Sequence, residues 1–223
     1  MKVTIAGASG LIGNHLTQIL LKNTAITEVV VLVRRQLNFG HPKLRQIVVS
    51  FDEVDLVNDS IKDSLALYCC LGTTKRKSPN TVEYRKIEHD YPVLLAKIAS
   101  DIDIEQFHLV SALGANEKSR IFYNKVKGET EKDVKVFSFR SIHIYQPSLL
   151  TGRQENRPYE KLVIQIMKFI NPLLIGNLRK YQSIPAQTVA QTMANQTFKN
   201  IAGMHEYSSE KIRDLSESPV IPL

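Results

Sequence analysis

MKVTIAGASGLIGNHL, residues 1–16, opens the chain with an apolar run, then three glycines at steps of three, then a stretch of helical periodicity. Glycine has no Cβ and loses much conformational entropy on folding. Three in seven residues therefore imply a backbone that turns tightly or lets another group come close. With a strand ending near Ala6, Gly7 makes the turn, Gly10 lets the backbone approach a pyrophosphate, and Gly13 allows strand and helix to pack closely. A helix starting at Leu11 then offers its free N–H groups and positive dipole end to phosphate, with Ser9, Leu11 and Ile12 in the same cradle. A tight βα turn without a ligand uses glycine too, but strand, turn and helix in this order favour a nucleotide site.

The next apolar run, Val29-Val30-Val31-Leu32-Val33, ends in Arg34-Arg35. Sites for NAD carry an acid here, which accepts hydrogen bonds from the ribose 2′-OH. A guanidinium accepts nothing, but its fork of donors suits the 2′-phosphate of NADP. NADP is expected over NAD, against the blander reading of two solvent-facing loop arginines.

Downstream, apolar runs of four to eight residues alternate with longer periodic stretches, the pattern of βαβ units. The expected fold is α/β: a Rossmann-like, doubly wound, mainly parallel sheet of about seven strands with helices on both faces and a small C-terminal extension on the substrate side. Strands are predicted at 2–6, 28–33, 46–49, 64–71, 106–111, 141–145 and 204–207. The clearest helices are predicted at 11–22, 81–100, 120–134, 158–171 and 185–199, with a kink or break at Pro92 in the second. One domain spanning 1–223 is expected, with 147–223 building the substrate side. Two loops, 72–80 and 152–158, lie where strand ends face a ligand in an open parallel sheet.

The net charge of +7 is concentrated in residues 1–50 and 151–200, each at +5, while the rest of the chain sums to −3. No basic run exceeds Lys75-Arg76-Lys77 and no aromatic-interleaved motif accompanies it. A solvated surface with a small anionic ligand is expected rather than nucleic acid. No apolar stretch reaches eighteen residues, so no membrane span is expected. Residues 1–7 lack a secretory signature, from which a cytosolic location follows as an expectation. Cys69 and Cys70 are adjacent and point to opposite faces of a strand, which disfavours a disulfide; no metal-ligand spacing accompanies them, and no metal is expected.

Tyr123 and Lys127 stand one helical turn apart on one face. Eight tyrosines and eighteen lysines make about 0.65 such pairs by chance, and a second, Tyr207 and Lys211, reads as accidental. Context separates them: Ser111 stands twelve residues before Tyr123, where the run Phe107-His108-Leu109-Val110 ends at the ligand-facing edge. A free phenol has a pKa of about 10, and a neighbouring ammonium favours its phenolate. Tyr123 can then give a proton to a carbonyl oxygen as hydride arrives at carbon. Ser111 holds that oxygen, and Lys127 reaches the cofactor ribose. His89 is read as a surface or packing residue, and the two thiols as core filling. The apolar stretch 162–175 reads as core packing first and as a substrate lid second.

GASGLIG, CCLGTTKRKS, VSALGANEKSRIFYNKVKGETE, QPSLLTGRQENRP and NPLLIGNLRKYQSIPAQTVAQTM, spread over most of the chain, together resemble an atypical short-chain dehydrogenase/reductase. More narrowly, the chain is similar to Tat-interacting-protein-like oxidoreductases and bacterial relatives often labelled nucleoside-diphosphate-sugar epimerase-like. The resemblance implies an NAD(P) site in which Leu71, Gly72, Thr73 and Thr74 lie along the ribose and nicotinamide. It also implies that Phe51 and Asp52 border the adenine and that Pro147, Ser148 and Leu149 meet the nicotinamide end. The family commonly has Arg before that proline, where this chain has Gln146, so an ion pair or loop anchor is expected to be missing there. The expected function is NADP-dependent reduction of a small carbonyl substrate. The alternatives are an NADP(H)-holding regulator that recognises a protein partner, and a sugar-nucleotide epimerase, disfavoured because such enzymes usually carry a larger C-terminal domain. A homodimer or a protein partner is left open.

Overall fold

The computed structural model describes residues 1–76, 78–152, 174, 176–199 and 201–217. The opening run forms β1 (Lys2–Ala6) and the glycine turn leads into α1 (Leu11–Lys22). There follow β2 (Glu28–Val33), β3 (Leu44–Val48), α2 (Val54–Ile61) and β4 (Ala66–Cys69). The next predicted helix is built in three pieces: α3 (Thr81–Arg85), a π-helical turn (Lys86–Asp90) and α4 (Tyr91–Asp101). The chain continues through β5 (Gln106–Val110), α5 (Phe122–Val134), β6 (Ser141–Gln146) and β7 (Leu150–Thr151). A 3₁₀ turn (Gly176–Tyr181), β8 (Ile184–Pro185), α6 (Ala186–Thr197), β9 (Gly203–Ser208) and α7 (Ser209–Ser216) complete the described elements.

Seven strands pair in the order β3-β2-β1-β4-β5-β6-β9, and every neighbouring pair is parallel. This is the doubly wound Rossmann-like sheet that the sequence predicts, with the strand order reversing between β1 and β4. A ligand crevice opens outside the carboxyl ends of the strands at such a reversal. Side chains alternate between faces, so β1 sends Val3 and Ile5 under α1 and α6, and Ala6 toward the core beneath α2 and α4. A two-stranded parallel ribbon, β7 with β8, was not foreseen; two-residue strands carry no period to read.

The predicted break at Pro92 takes a different form. Proline has no N–H, so the carbonyl four residues earlier, on Glu88, loses its helical donor. The backbone widens to a π turn, in which the Tyr91 N–H reaches the Lys86 carbonyl. The orphaned Glu88 carbonyl takes the Thr130 hydroxyl at 2.9 Å instead, and Pro92 sits unstrained in the first turn of α4. The predicted strand 64–71 is shorter in the structure, although its flanks still bond to β1 through Leu65 N–H to Lys2 and Cys70 N–H to Ala6. The predicted helix 158–171, most of the loop 152–158 and most of the apolar stretch 162–175 lie outside the described residues. Among the described residues, no helix is long and apolar enough to cross a membrane.

On the α1 and α6 face, parallel register places Tyr68, His108, His143 and His205 side by side across β4, β5, β6 and β9. Their rings follow at 4.6, 4.4 and 5.2 Å between centroids. His108 Nδ1 meets the Tyr145 hydroxyl at 3.1 Å and His143 Nδ1 the Tyr207 hydroxyl at 2.9 Å. Tyr207 is thus a core residue with Lys211 lying over its ring, which agrees with reading that spacing as accidental.

Candidate functional site

Gly7 adopts φ +90°, and a Cβ there would stand 2.6 Å from the Cys70 carbonyl oxygen. A Cβ on Gly13 would lie 2.3 Å from the Gly7 oxygen, so this glycine lets α1 pack against the turn. Gly10, the residue before α1, accepts the Asn14 N–H and has no side-chain cap, and the first turn holds no acid. The first-turn amides of a helix have no intrahelical acceptor. Nothing negative competes for these, which fits an incoming diphosphate.

Arg34 and Arg35 leave the end of β2 exposed, and neither has an ion-pair partner among the described residues. Arg34 forms one wall of a hollow of about 280 Å³ whose other lining includes Val49, Phe51 and Tyr91. The Phe51 and Tyr91 rings pack 5.1 Å apart, tilted by 55°, and give the hollow an aromatic side. Asp52 is held by Lys86 Nζ at 3.0 Å and the Tyr91 hydroxyl at 3.4 Å. The Lys86 bond keeps its carboxyl below the usual range. A larger hollow of about 350 Å³ lies at the opposite, amino-terminal edge of the sheet, lined by Met1, Lys2 and Asp63 among others, away from every predicted site residue.

The Cys70-to-Thr74 segment passes over the glycine turn. The Thr73 N–H donates to Glu88 Oε1 at 2.5 Å and its hydroxyl meets Ser78 Oγ at 3.0 Å. Glu88, 2% exposed, places its other oxygen, Oε2, 2.8 Å from Lys127 Nζ. Lys127 Nζ also donates to the Val110 carbonyl at 3.2 Å. Burial pulls the Lys127 ammonium toward losing its proton, yet the groups facing it, Glu88 foremost, leave it above the ordinary lysine value.

Of the three expected residues, Ser111 follows β5, Lys127 on α5 reaches the Val110 carbonyl beside it, and Tyr123 stands one turn before Lys127 on α5. Gly128 sets the register of the helix that carries two of them: a Cβ there would lie 2.2 Å from the backbone of Asn116 and Glu117. Two details differ from expectation. Tyr123, 39% exposed, has its phenol above its usual value rather than below: burial dominates, Lys127 pulls it down, and Glu88 offsets that pull. The Ser111 hydroxyl donates to Glu131 Oε1, so here it serves a carboxylate. Glu131 is held above the ordinary glutamate value by burial. The anchor expected to be missing at Gln146 is present in neutral form, because its amide donates to Glu131 Oε1 at 3.0 Å and Oε2 at 3.1 Å.

At the β6 end, the Leu113 N–H donates to the Pro147 carbonyl at 2.9 Å. The Ser148 N–H reaches Ser209 Oγ at 2.6 Å and its hydroxyl donates to the Gln182 carbonyl, while Leu149 is exposed. Spacing did not reveal Glu88 and Glu131, which the fold alone brings to the site. His89, read as a packing residue, bridges Asp90 at 2.7 Å and Asp133 at 2.9 Å and pins the π turn to α5. Both cysteines are free, and burial raises the Cys69 thiol to about 12, so it is inert filling.

The pattern of a family described as NAD(P)H-binding matches residues 7–136. Protein HTATIP2 of Rattus norvegicus is 32% identical over 94% of this chain and 86% of its own length. Protein fmp52, mitochondrial, of Aspergillus fumigatus is 29% identical over 98% of this chain and 96% of its own. The UDP-glucuronic acid 4-epimerase from Bacillus cereus, solved in complex with NAD, superposes with a TM-score of 0.68 at 19% identity, covering 96% of this chain and 80% of that one. That likeness shows the fold. The expected cytosolic location is overturned by the relatives named mitochondrial, which match nearly the whole chain; the lack of a secretory signature in residues 1–7 says nothing of organelles. At the level of an NAD(P)H-binding chain related to protein HTATIP2, the resemblance read from the sequence stands. The chain belongs to the NAD(P)H-binding family and, within it, with the relatives of protein HTATIP2.

Proposed function

We propose that the protein is an NADP-dependent reductase of a small carbonyl substrate. The observation that carries this reading is the pair of exposed, uncompensated arginines at the end of β2, one of them walling the Phe51 hollow, on the same sheet edge as Ser111, Tyr123 and Lys127. The bound dinucleotide supplies hydride from its nicotinamide. The protein's part is binding, orientation and proton transfer. First-turn amides of α1 hold the diphosphate, Arg34 and Arg35 the 2′-phosphate, Phe51 the adenine, and Leu71 to Thr74 the ribose and nicotinamide. Tyr123, with a phenol held protonated, gives its proton to the carbonyl oxygen. Residues 147–223, including Pro147, Ser148 and Leu149, form the substrate side.

A regulator that holds NADP(H) without turnover is the second reading, favoured by the engagement of the Ser111 hydroxyl with Glu131. Titration of the purified protein with NADPH and NADH tests the cofactor. Tighter NADPH binding by about tenfold to a hundredfold is expected from charged hydrogen bonds to one phosphate, and Arg34→Ala with Arg35→Ala should erase the difference. Equal affinities in the parent would overturn NADP. In a screen of aldehydes, ketones and quinones, Tyr123→Phe should lose NADPH oxidation while keeping NADPH binding; a parent with no turnover on any of them favours the regulator.

A further inference from the structure

We infer that Glu88 is a positioning residue of this site, holding the proton on Lys127 with one carboxylate oxygen and the Leu71–Thr74 loop with the other. The inference rests on the proposed function for what Lys127 and the loop are for, but its structural basis is independent of any cofactor. Glu88 is the middle residue of the π turn, a conformation rare enough that its occurrence beside a site is informative. Pro92 forces that turn, and three contacts fix it. Thr130 holds the Glu88 carbonyl, His89 bridges to Asp133, and Arg85 pairs with Glu129. The carboxylate is therefore aimed by a rigid frame, with Oε1 on the Thr73 N–H at 2.5 Å and Oε2 on Lys127 Nζ at 2.8 Å.

The consequence is electrostatic. Lys127 is 5% exposed, and an ammonium removed from water sheds its proton unless a negative charge faces it. The titratable groups around it are Tyr123 and Glu131 on its own helix, one turn to either side, Cys69 at the end of β4 and Cys70 after it, Tyr84 from α3 next to Glu88 and Tyr123, and Glu88 itself. The phenols and thiols are uncharged near neutral pH, and Glu131 is taken by Ser111 and Gln146, so Glu88 is the carboxylate in contact with Lys127 among the described residues. The same carboxylate opposes the pull of Lys127 on Tyr123, which keeps the phenol a proton donor. One residue thus ties the cofactor-facing loop to the helix carrying Tyr123 and sets the charge of that helix's lysine.

The test needs no substrate and no cofactor. In protein carrying ¹³C at lysine Cε, the Lys127 signal is identified by its absence in Lys127→Arg and followed through a pH titration. In the parent it should change later than the exposed lysines. In Glu88→Gln, which keeps an oxygen for the Thr73 amide but no charge, it should change at least one pH unit earlier, while hydrogen exchange at Thr73 stays slow. Glu88→Asp keeps the charge but withdraws it by one methylene, and should bring the signal partway down; this variant decides the matter if Glu88→Gln does not fold. A Lys127 titration identical to the parent's in the folded variant would overturn the inference. Failure of the parent to bind NADPH would instead sink the proposed function and leave this result standing.

Discussion

Gln146 shows how one substitution at a family position is absorbed. An arginine there would present its charge to Glu131; the amide presents two neutral N–H groups instead, and the carboxyl answers by moving above the ordinary glutamate value as burial dominates. The folded state therefore binds a proton at Glu131 more readily than the unfolded chain does. Contribution to stability from this group is greatest at low pH and shrinks as pH rises through the folded value. Removing the amide should accordingly hurt most when the carboxyl is charged. Gln146→Ala is expected to lose about 2 kcal/mol near pH 8, the range for hydrogen bonds to a charged acceptor, and clearly less at about pH 4.5, where a carboxyl held above the ordinary glutamate value is mostly protonated. Urea unfolding at the two pH values, with unchanged m, measures it; an equal loss at both would show that Glu131 is not the partner that matters.

At the scale of elements, periodic signals were legible and exceptions to periodicity were not. β1, α1 and β2 have the boundaries predicted because each is bracketed by a clear change of pattern, from apolar run to glycine turn to amphipathic helix. α2 and α7 span only eight residues each, about two turns, so their apolar stripe is too short to stand out from the surrounding polar residues. The π turn could be foreseen as a disturbance near Pro92 but not as a device. What makes it useful is Thr130 and Asp133 on another helix, and sequence spacing does not report that packing. The site divides the same way. Ser111, Tyr123 and Lys127 were readable because they follow a strand end and a helical turn, whereas Glu88 and Glu131 reach them through tertiary packing. Gly128 was a signal left unused: a glycine inside a helix costs stability unless something presses against it, and here the Asn116–Glu117 backbone does.

Across the whole sheet, the row of rings from Tyr68 to His205 makes stability depend on pH. Burial holds His143 down to about 3, with His205 adding to the effect, and His108 well below its ordinary value, with His143 adding to it. Neutral imidazoles suit this place, because each ring gives or takes one bond on each nitrogen: Tyr145 and Gln106 for His108, Tyr207 and Ser141 for His143. Above about pH 6.5 neither folded nor unfolded chain protonates these rings, and their contribution is complete. Below it the unfolded chain takes up protons that the folded one refuses, so stability falls by about 1.4 kcal/mol per pH unit for each histidine. That decline continues until the folded value is reached, near pH 3 for His143. By pH 5 His143 alone withdraws about 2 kcal/mol, and His108 adds to this in the same direction, against the roughly 5–15 kcal/mol of an ordinary domain. The urea midpoint is therefore expected to be level from pH 8 to 7 and to drop steeply from 6 to 5. His143→Asn, starting from a less stable parent, should show a shallower drop, since one proton fewer distinguishes the two states. A variant that loses stability with pH as steeply as the parent would remove the ladder as the cause and transfer it to the carboxylates paired at the surface.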